Sequence, residues 1–252
     1  MKIAVIVTVV SDSDNLIIRN VPVSSTVVEL SDGTLAIIDT GMADNPQLAE
    51  ELKDLGYSPL DFSLVINTHL HPDHIGGNQL FKNARILISR EEFEYETKFA
   101  RVLQASHDPV ATLRSLGRYV DDSTYALARD LQAIVEQYPA ASLVGAAEQL
   151  EFLEDEPELP AGVSLLSVPG HSIDSRAVIL RGATRQVAVA GDAMYHRDLW
   201  REVPYIGIHY DDDMFKQSIE RLTRFSGIIV PGHDRPFDTM TQRYVADEFI
   251  FL

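Results

Sequence analysis

The stretch Thr68-His69-Leu70-His71-Pro72-Asp73-His74 places three imidazoles and one carboxylate within six positions, directly after the apolar run Leu64 to Asn67. A short apolar run bounded by turn residues reads as a strand, so the polar group falls on a loop at the strand's end. In extended backbone His69 and His71 project to one face, and the turn favoured by Pro72 brings Asp73 and His74 back toward the same place. Four such donors crowd and repel one another unless a cation lies among them. Neutral imidazole nitrogens and carboxylate oxygens suit zinc, and also manganese, iron or cobalt. The chain has no cysteine, which leaves His and carboxylates as the candidate ligands.

Three further segments repeat one pattern: Val168-Pro169-Gly170-His171, Val189-Ala190-Gly191-Asp192 and Val230-Pro231-Gly232-His233. Each is a predicted strand, a small turn and a ligand-type residue. A glycine before the polar residue lets the backbone turn sharply and aim the side chain into a shared cleft. Any one of these turns is common; their recurrence after strands marks a single site. His107, His196 and His209 carry no motif and read as surface or packing residues, with pocket lining as the alternative for His196 and His209, which flank the Tyr195 segment, and Trp200 reads as core or pocket wall.

Around these loops the first third predicts strands at Ile3–Val10, Thr26–Leu30, Leu35–Asp39 and Leu64–Asn67, a crossing helix over Pro46–Leu55 ending near Gly56, and a strand at Ile86–Ile88. From about 91 to 138 the apolar spacing turns helical, with a break near Pro109. This helical insertion is expected to be a packing element, or else a lid or dimerisation surface. Strands return at Val163–Val168, Ala177–Leu180, Gln186–Val189 and Ile228–Val230, with a helix from Met214 to Arg224. Strands followed by helix, repeated with a helical insert between, predict an α/β chain of two sheets packed face to face with helices outside, as one domain over 1–252.

At 252 residues and 45% hydrophobic content the chain can bury a sizeable core. The run Ile3–Val10 is short and is followed by Ser11-Asp12-Ser13-Asp14 rather than a cleavage site, and no stretch approaches the roughly 20 apolar residues of a membrane span, so a soluble, cytoplasmic protein is expected. A net charge of −17 opposes nucleic acid and anionic membranes as partners and favours a small or neutral substrate.

The HxHxDH stretch followed by His171, Asp192 and His233 in that order resembles the metallo-beta-lactamase superfamily over nearly the whole chain. The resemblance implies an αββα sandwich and two metal ions, with His69, His71 and His171 on the first, Asp73, His74 and His233 on the second, and Asp192 bridging both. Asp39, in Ile38-Asp39-Thr40-Gly41, matches the superfamily's acidic residue near the site, where it would orient a ligand imidazole by accepting its second N–H. The bridging Asp192 and the following His233 are unlike true β-lactamases, and His71 in place of an acidic residue is unlike the diiron flavoprotein oxidases.

A narrower similarity runs through Gly191-Asp192-Ala193-Met194-Tyr195, Glu202-Val203-Pro204-Tyr205 and Pro231-Gly232-His233-Asp234, and points to the N-acyl homoserine lactonases. It implies that Tyr195 contacts the lactone carbonyl. Two zinc ions that lower the pKa of a shared water would then supply a metal-bound hydroxide to attack the ester, with Tyr195 and one zinc steadying the oxyanion and Asp73 or a metal assisting the leaving alkoxide. A homodimer is expected from the same resemblance. The rival is a glutathione-thioester hydrolase resembling hydroxyacylglutathione hydrolase, whose GHEY segment is replaced here by Gly232-His233-Asp234-Arg235. A phosphodiesterase ranks below it because of the acidic charge, and a non-catalytic metal-binding protein on the same fold is the alternative outside enzymes.

Overall fold

The computed structural model describes residues 1–118, 120, 122–200 and 209–252; the Glu202–Tyr205 stretch and the Trp200 side chain lie outside the described residues. The chain opens with β1 (Lys2–Val9), β2 (Pro22–Glu29) and β3 (Leu35–Ile38), crosses through α1 (Gln47–Asp54), and continues with β4 (Leu64–Ile66), α2 (Pro72–Ile75) and β5 (Arg85–Ile88). The helices α3 (Arg90–Gln104), α4 (Pro109–Ser115), α5 (Asp122–Gln137) and α6 (Ala140–Leu143) follow before β6 (Leu150–Phe152). The second half holds β7 (Val163–Ser167), β8 (Arg176–Arg181), β9 (Gln186–Gly191), α7 (Asp212–Thr223), β10 (Ile228–Pro231), β11 (Phe237–Asp238) and β12 (Ile250–Phe251).

Two mixed sheets result, ordered β12-β1-β2-β3-β4-β5-β6 and β11-β10-β9-β8-β7. Side-chain alternation explains their layering, because successive residues of a strand face opposite sides of a sheet. Leu64 and Ile66 of β4 join Val187 and Val189 of β9 in the core between the sheets. Val65 instead packs outward against Leu48 and Leu52 of α1, and Ala188 and Ala190 pack outward against Phe215, Ile219 and Leu222 of α7. The expected αββα sandwich is therefore the architecture found. The short strands β6, β11 and β12 were beyond the sequence pattern, since two or three residues carry no readable period.

Strand direction gathers the polar loops. β3, β4 and β5 are parallel neighbours, so Asp39, the Thr68–His74 loop and the start of α3 leave the first sheet at the same edge. β9 and β10 are also parallel, which brings Asp192 and His233 out together. Two backbone bonds tie the sheets at that edge, from Ser24 N–H to the Gly232 carbonyl and from Arg176 N–H to the Thr68 carbonyl, each 2.8 Å. Carboxyl ends of parallel strands are where open α/β sheets place their ligands.

The helices between β5 and β6 have an apolar cluster of their own: Phe99, Ala100 and Leu103 of α3, Leu113 of α4, and Ala128 and Val135 of α5. The break near Pro109 is a helix start, with Asp108 accepting from Ala111 N–H at 3.0 Å and proline at the first helical position. Phe93 of α3 anchors this group to the outer core of the first sheet.

Candidate metal centre

All seven side chains proposed as ligands converge at the shared edge. One group joins His69, His71, His171 and Asp192, and a second joins Asp73, His74 and His233, the candidate donor atoms within each lying within 4.8 Å of one another. Asp192 stands between them. Its Oδ2 is 3.3 Å from His171 Nε2, 3.9 Å from His69 Nε2 and 3.1 Å from His233 Nε2, while Oδ1 is 3.1 Å from His74 Nε2. Asp73 Oδ2 lies 3.7 Å from both His74 Nε2 and His233 Nε2.

The residues fit a pair of metal ions. His69 Nε2, His74 Nε2 and Asp192 Oδ1 are buried and have no hydrogen-bond partner among the described residues. The close approach of His74 to Asp192 thus lacks hydrogen-bond geometry, as expected of atoms aimed at a common cation rather than at each other. Electrostatics agree. Burial, with His74 and His71 nearby, holds His69 well below the usual imidazole range; burial pushes His71 down to about 4 against the pull of Asp73 and Asp192; and burial likewise lowers His171. Those three rings are neutral at pH 7 and offer lone pairs. Burial also opposes a charge on His74 and His233, yet Asp192 and Asp73 outweigh it and raise both. Burial disfavours the Asp192 anion, but His233, His74 and His171 hold that carboxyl well below its ordinary value. The carboxylate-rich half is short of positive charge, which a divalent cation supplies.

Each ring's far nitrogen sets which nitrogen faces the cluster. Asp39 is buried at the end of β3, where Oδ2 is 2.9 Å from His74 Nδ1. The same carboxylate accepts from Thr68 N–H at 2.8 Å and Thr68 Oγ1–H at 2.7 Å, and Thr68 Oγ1 lies 3.1 Å from His69 Nδ1. One carboxylate thus orients His74 directly and His69 through a hydroxyl. His233 Nδ1 donates to the Pro22 carbonyl at 2.6 Å, and Tyr195 Oη is 3.1 Å from His171 Nδ1. Glu92 of α3, absent from the sequence-based candidates, accepts from Leu70 N–H at 3.4 Å and Asp174 N–H at 2.9 Å, clipping the His69–His71 loop to the His171 loop. Nothing in the sequence marks Glu92 out from the other acidic residues of its helix; Thr68 had its adjacency to His69 as a signal.

The glycines before the ligands serve two purposes. Gly170 and Gly191 have φ of 127° and 51°, as a sharp turn requires. Gly232 does not, and its constraint is space: a Cβ there would fall 2.0 Å from Asp192 Oδ1.

The cluster opens into a cavity of about 750 Å³. Tyr195 stands at the junction, edge-on to His171 at 5.2 Å and stacked on His233 at 5.1 Å between ring centroids. Leu16, Ile17, Leu127, Leu131 and Ile134 give the cavity an apolar lining, and Glu96 and Arg118 a charged one. Burial pushes Glu96 up to about 8, opposed by Arg118. Of the remaining histidines, His196 lines the cavity, His107 is exposed, and His209 is buried with its ring 4.6 Å from that of Phe215.

Residues 18–233 match the metallo-beta-lactamase superfamily, and the chain belongs to it. It is a hydrolase of that superfamily with a His/Asp metal-site cluster. Among its relatives, the N-acyl homoserine lactonase of Bacillus cereus is 26% identical over 245 residues, spanning 85% of this chain and 82% of that protein. A solved N-acyl homoserine lactone hydrolase, with the product N-hexanoyl-L-homoserine at its catalytic metal centre, has a TM-score of 0.60 at 23% identity over 99% of this chain and 98% of its own. AidC, a dizinc quorum-quenching lactonase solved with a product, has a TM-score of 0.61 at 19% identity over 85% of this chain and 73% of its own.

Proposed function

We propose that the protein opens lactone rings, with N-acyl homoserine lactones as the substrate class and zinc as the metal. The observation that carries this reading is the cavity of about 750 Å³, where the two candidate donor groups and Tyr195 meet an apolar wall. Zinc supplies Lewis acidity and lowers the pKa of water when bound. His69, His71 and His171 would hold one ion, Asp73, His74 and His233 the other, and Asp192 both.

The chain's own residues then divide the work. His171 presents Nε2 to Asp192, so its Nδ1–H donates to the Tyr195 oxygen. Tyr195, at the mouth of the cluster, would turn its O–H to the ester carbonyl oxygen of a bound lactone, where negative charge develops. Asp73, partly exposed, is placed to take the proton of the attacking water and pass it to the leaving alkoxide. Leu131 and Ile134 keep water from the acyl chain.

Metal-replete protein is expected to hydrolyse both N-hexanoyl and N-decanoyl homoserine lactone, and His71→Ala to lose that turnover. Turnover of a glutathione thioester alone would replace this reading with a thioesterase. Tyr195→Phe is expected to lower kcat by about 10²-fold at saturating zinc, the size of one lost oxyanion donor, and, because Oη also meets His171 Nδ1, to weaken zinc binding by up to about 10–100-fold.

A further inference from the structure

Neither the ligand set nor the lactone chemistry uses the charged wall. Glu96, on α3, and Arg118, just after α4, form an ion pair with Nη2 and Oε1 3.5 Å apart, their side chains 6% and 2% exposed. The Arg118 guanidinium lies over the rings of Phe99, Tyr95 and Tyr210 at 4.6, 5.2 and 5.6 Å. Its Nε and Nη1 have no hydrogen-bond partner among the described residues, so aromatic faces and one carboxylate hold it. A buried pair of this kind adds little stability over apolar residues of the same size, so its presence beside an apolar cluster calls for another cause.

The direction of the Glu96 carboxylate supplies one. Oε1 also lies 4.0 Å from His71 Nε2, facing it from beyond hydrogen-bond distance. His71 is turned opposite to its fellow ligands: Nδ1 faces the cluster, 2.8 Å from His171 Nε2, and Nε2 points away. The far nitrogens of His69, His74, His171 and His233 each have a partner, in Thr68, Asp39, Tyr195 and the Pro22 carbonyl. For His71 the facing acceptor is Glu96.

We propose that Glu96, held in place by Arg118, is a positioning residue for His71: it attracts the Nε2–H and so keeps Nδ1 turned toward the metal. This inference rests on the dinuclear reading of the cluster. It makes the helices over the cavity part of the metal site, because the orientation of one ligand is set from α3.

Two neutral double variants separate the acceptor from the ion pair. Arg118→Met with Glu96→Gln keeps an acceptor facing His71; Arg118→Met with Glu96→Met removes it at similar volume. The readouts are zinc stoichiometry, zinc affinity by chelator competition and the visible spectrum of the cobalt-loaded protein, all independent of turnover. Wild-type protein is expected to bind two zinc ions. The Glu96→Met double variant is expected to hold one of them about 10–100-fold more weakly with an altered cobalt spectrum, and the Glu96→Gln double variant to stay within about threefold of wild type, a margin set against that range. Equal affinities in both variants, or equal losses in both, would overturn the proposal. So would intact metal binding with a raised KM, which makes Glu96 a substrate contact. A wild-type protein that binds no zinc removes the dinuclear reading itself, and the proposal with it.

Discussion

The two ends of the cavity are built on opposite principles. At the metal end the candidate donors gather on loops after strands, and several are anchored by a second residue: Asp39 fixes Thr68 and His74, the Pro22 carbonyl fixes His233, and Glu92 joins two loops. At the helical end the wall is a cluster of aliphatic and aromatic side chains on α3, α4 and α5, connected to the loop before β2 through Asp130, which accepts from Leu16 N–H at 2.9 Å. Directional bonds fix positions to fractions of an ångström, which chemistry needs; dispersion contacts tolerate a range of shapes, which suits a variable chain. Rate is therefore expected to depend on the first end and chain-length preference on the second.

Removing the metals strikes the first end hardest. Chelation is expected to abolish hydrolysis. It also leaves a buried cluster of imidazoles and carboxylates without a cation; with metal a thousandfold above its dissociation constant the lost stabilisation is about 4 kcal/mol for each ion, or on the order of 10 °C in Tm per ion for a chain of this size. Differential scanning calorimetry with and without chelator measures this, and an unchanged Tm would mean that the cluster is stable without an ion.

Gly232→Ala is expected to follow. Its Cβ would meet Asp192 Oδ1 at 2.0 Å and the Gly191 backbone at 2.9 Å, so the carboxylate between the two groups must move. A misplacement of about 1 Å is worth roughly 10²-fold in rate. Activity and zinc content should fall together while the circular dichroism of the sandwich is kept.

Asp39→Asn comes next, because the backbone there has φ of 56°, which asparagine tolerates. The amide cannot accept from Thr68 N–H, Thr68 Oγ1–H and His74 Nδ1–H together, and one N–H must face a donor. About 10–100-fold weaker zinc binding is expected. Thr68→Val removes both hydrogen bonds of the hydroxyl, to Asp39 and with His69 Nδ1, but leaves the Asp39–His74 contact, and about 1–2 kcal/mol in all gives roughly tenfold weaker zinc binding. If Thr68→Val equals Asp39→Asn, the two histidines are not oriented from a common carboxylate.

The same contrast decides what could be read in the sequence. The candidate ligands sit in a local motif and three recurring turns, each right after a strand, so His69, His71, Asp73, His74, His171, Asp192 and His233 were visible one-dimensionally. Partners that reach the site from a helix were not. Glu92 and Glu96 are acidic residues in Arg90-Glu91-Glu92-Phe93-Glu94-Tyr95-Glu96 and look like a solvated face; only packing shows that these two are buried while Glu91 and Glu94 are exposed. The Pro22 carbonyl, being backbone, carries no signal in residue type. β3 through β5 were legible from their apolar runs, whereas the order of strands, which puts the loops on one edge, depends on pairings far apart in the chain.

The smallest expected effect tests the helical end alone. Leu131, on α5, is half-buried, lines the cavity and packs on the α3–α5 cluster. Leu131→Ala removes part of the wall a long acyl chain would cover, and a partial contact of a leucine side chain contributes about 1 kcal/mol of the roughly 1.5–3 kcal/mol of full burial. The decanoyl lactone should therefore show about a fivefold higher KM, while kcat, the hexanoyl KM and zinc stoichiometry stay near wild type. Because the wall makes no bond to any ligand, a fall in zinc affinity or in kcat for both chains would show that α5 supports the metal end as well. The division between a bonded end that sets the rate and a packed end that sets chain length would then fail at Leu131, and coupling between the ends would extend past Glu96 into the apolar wall.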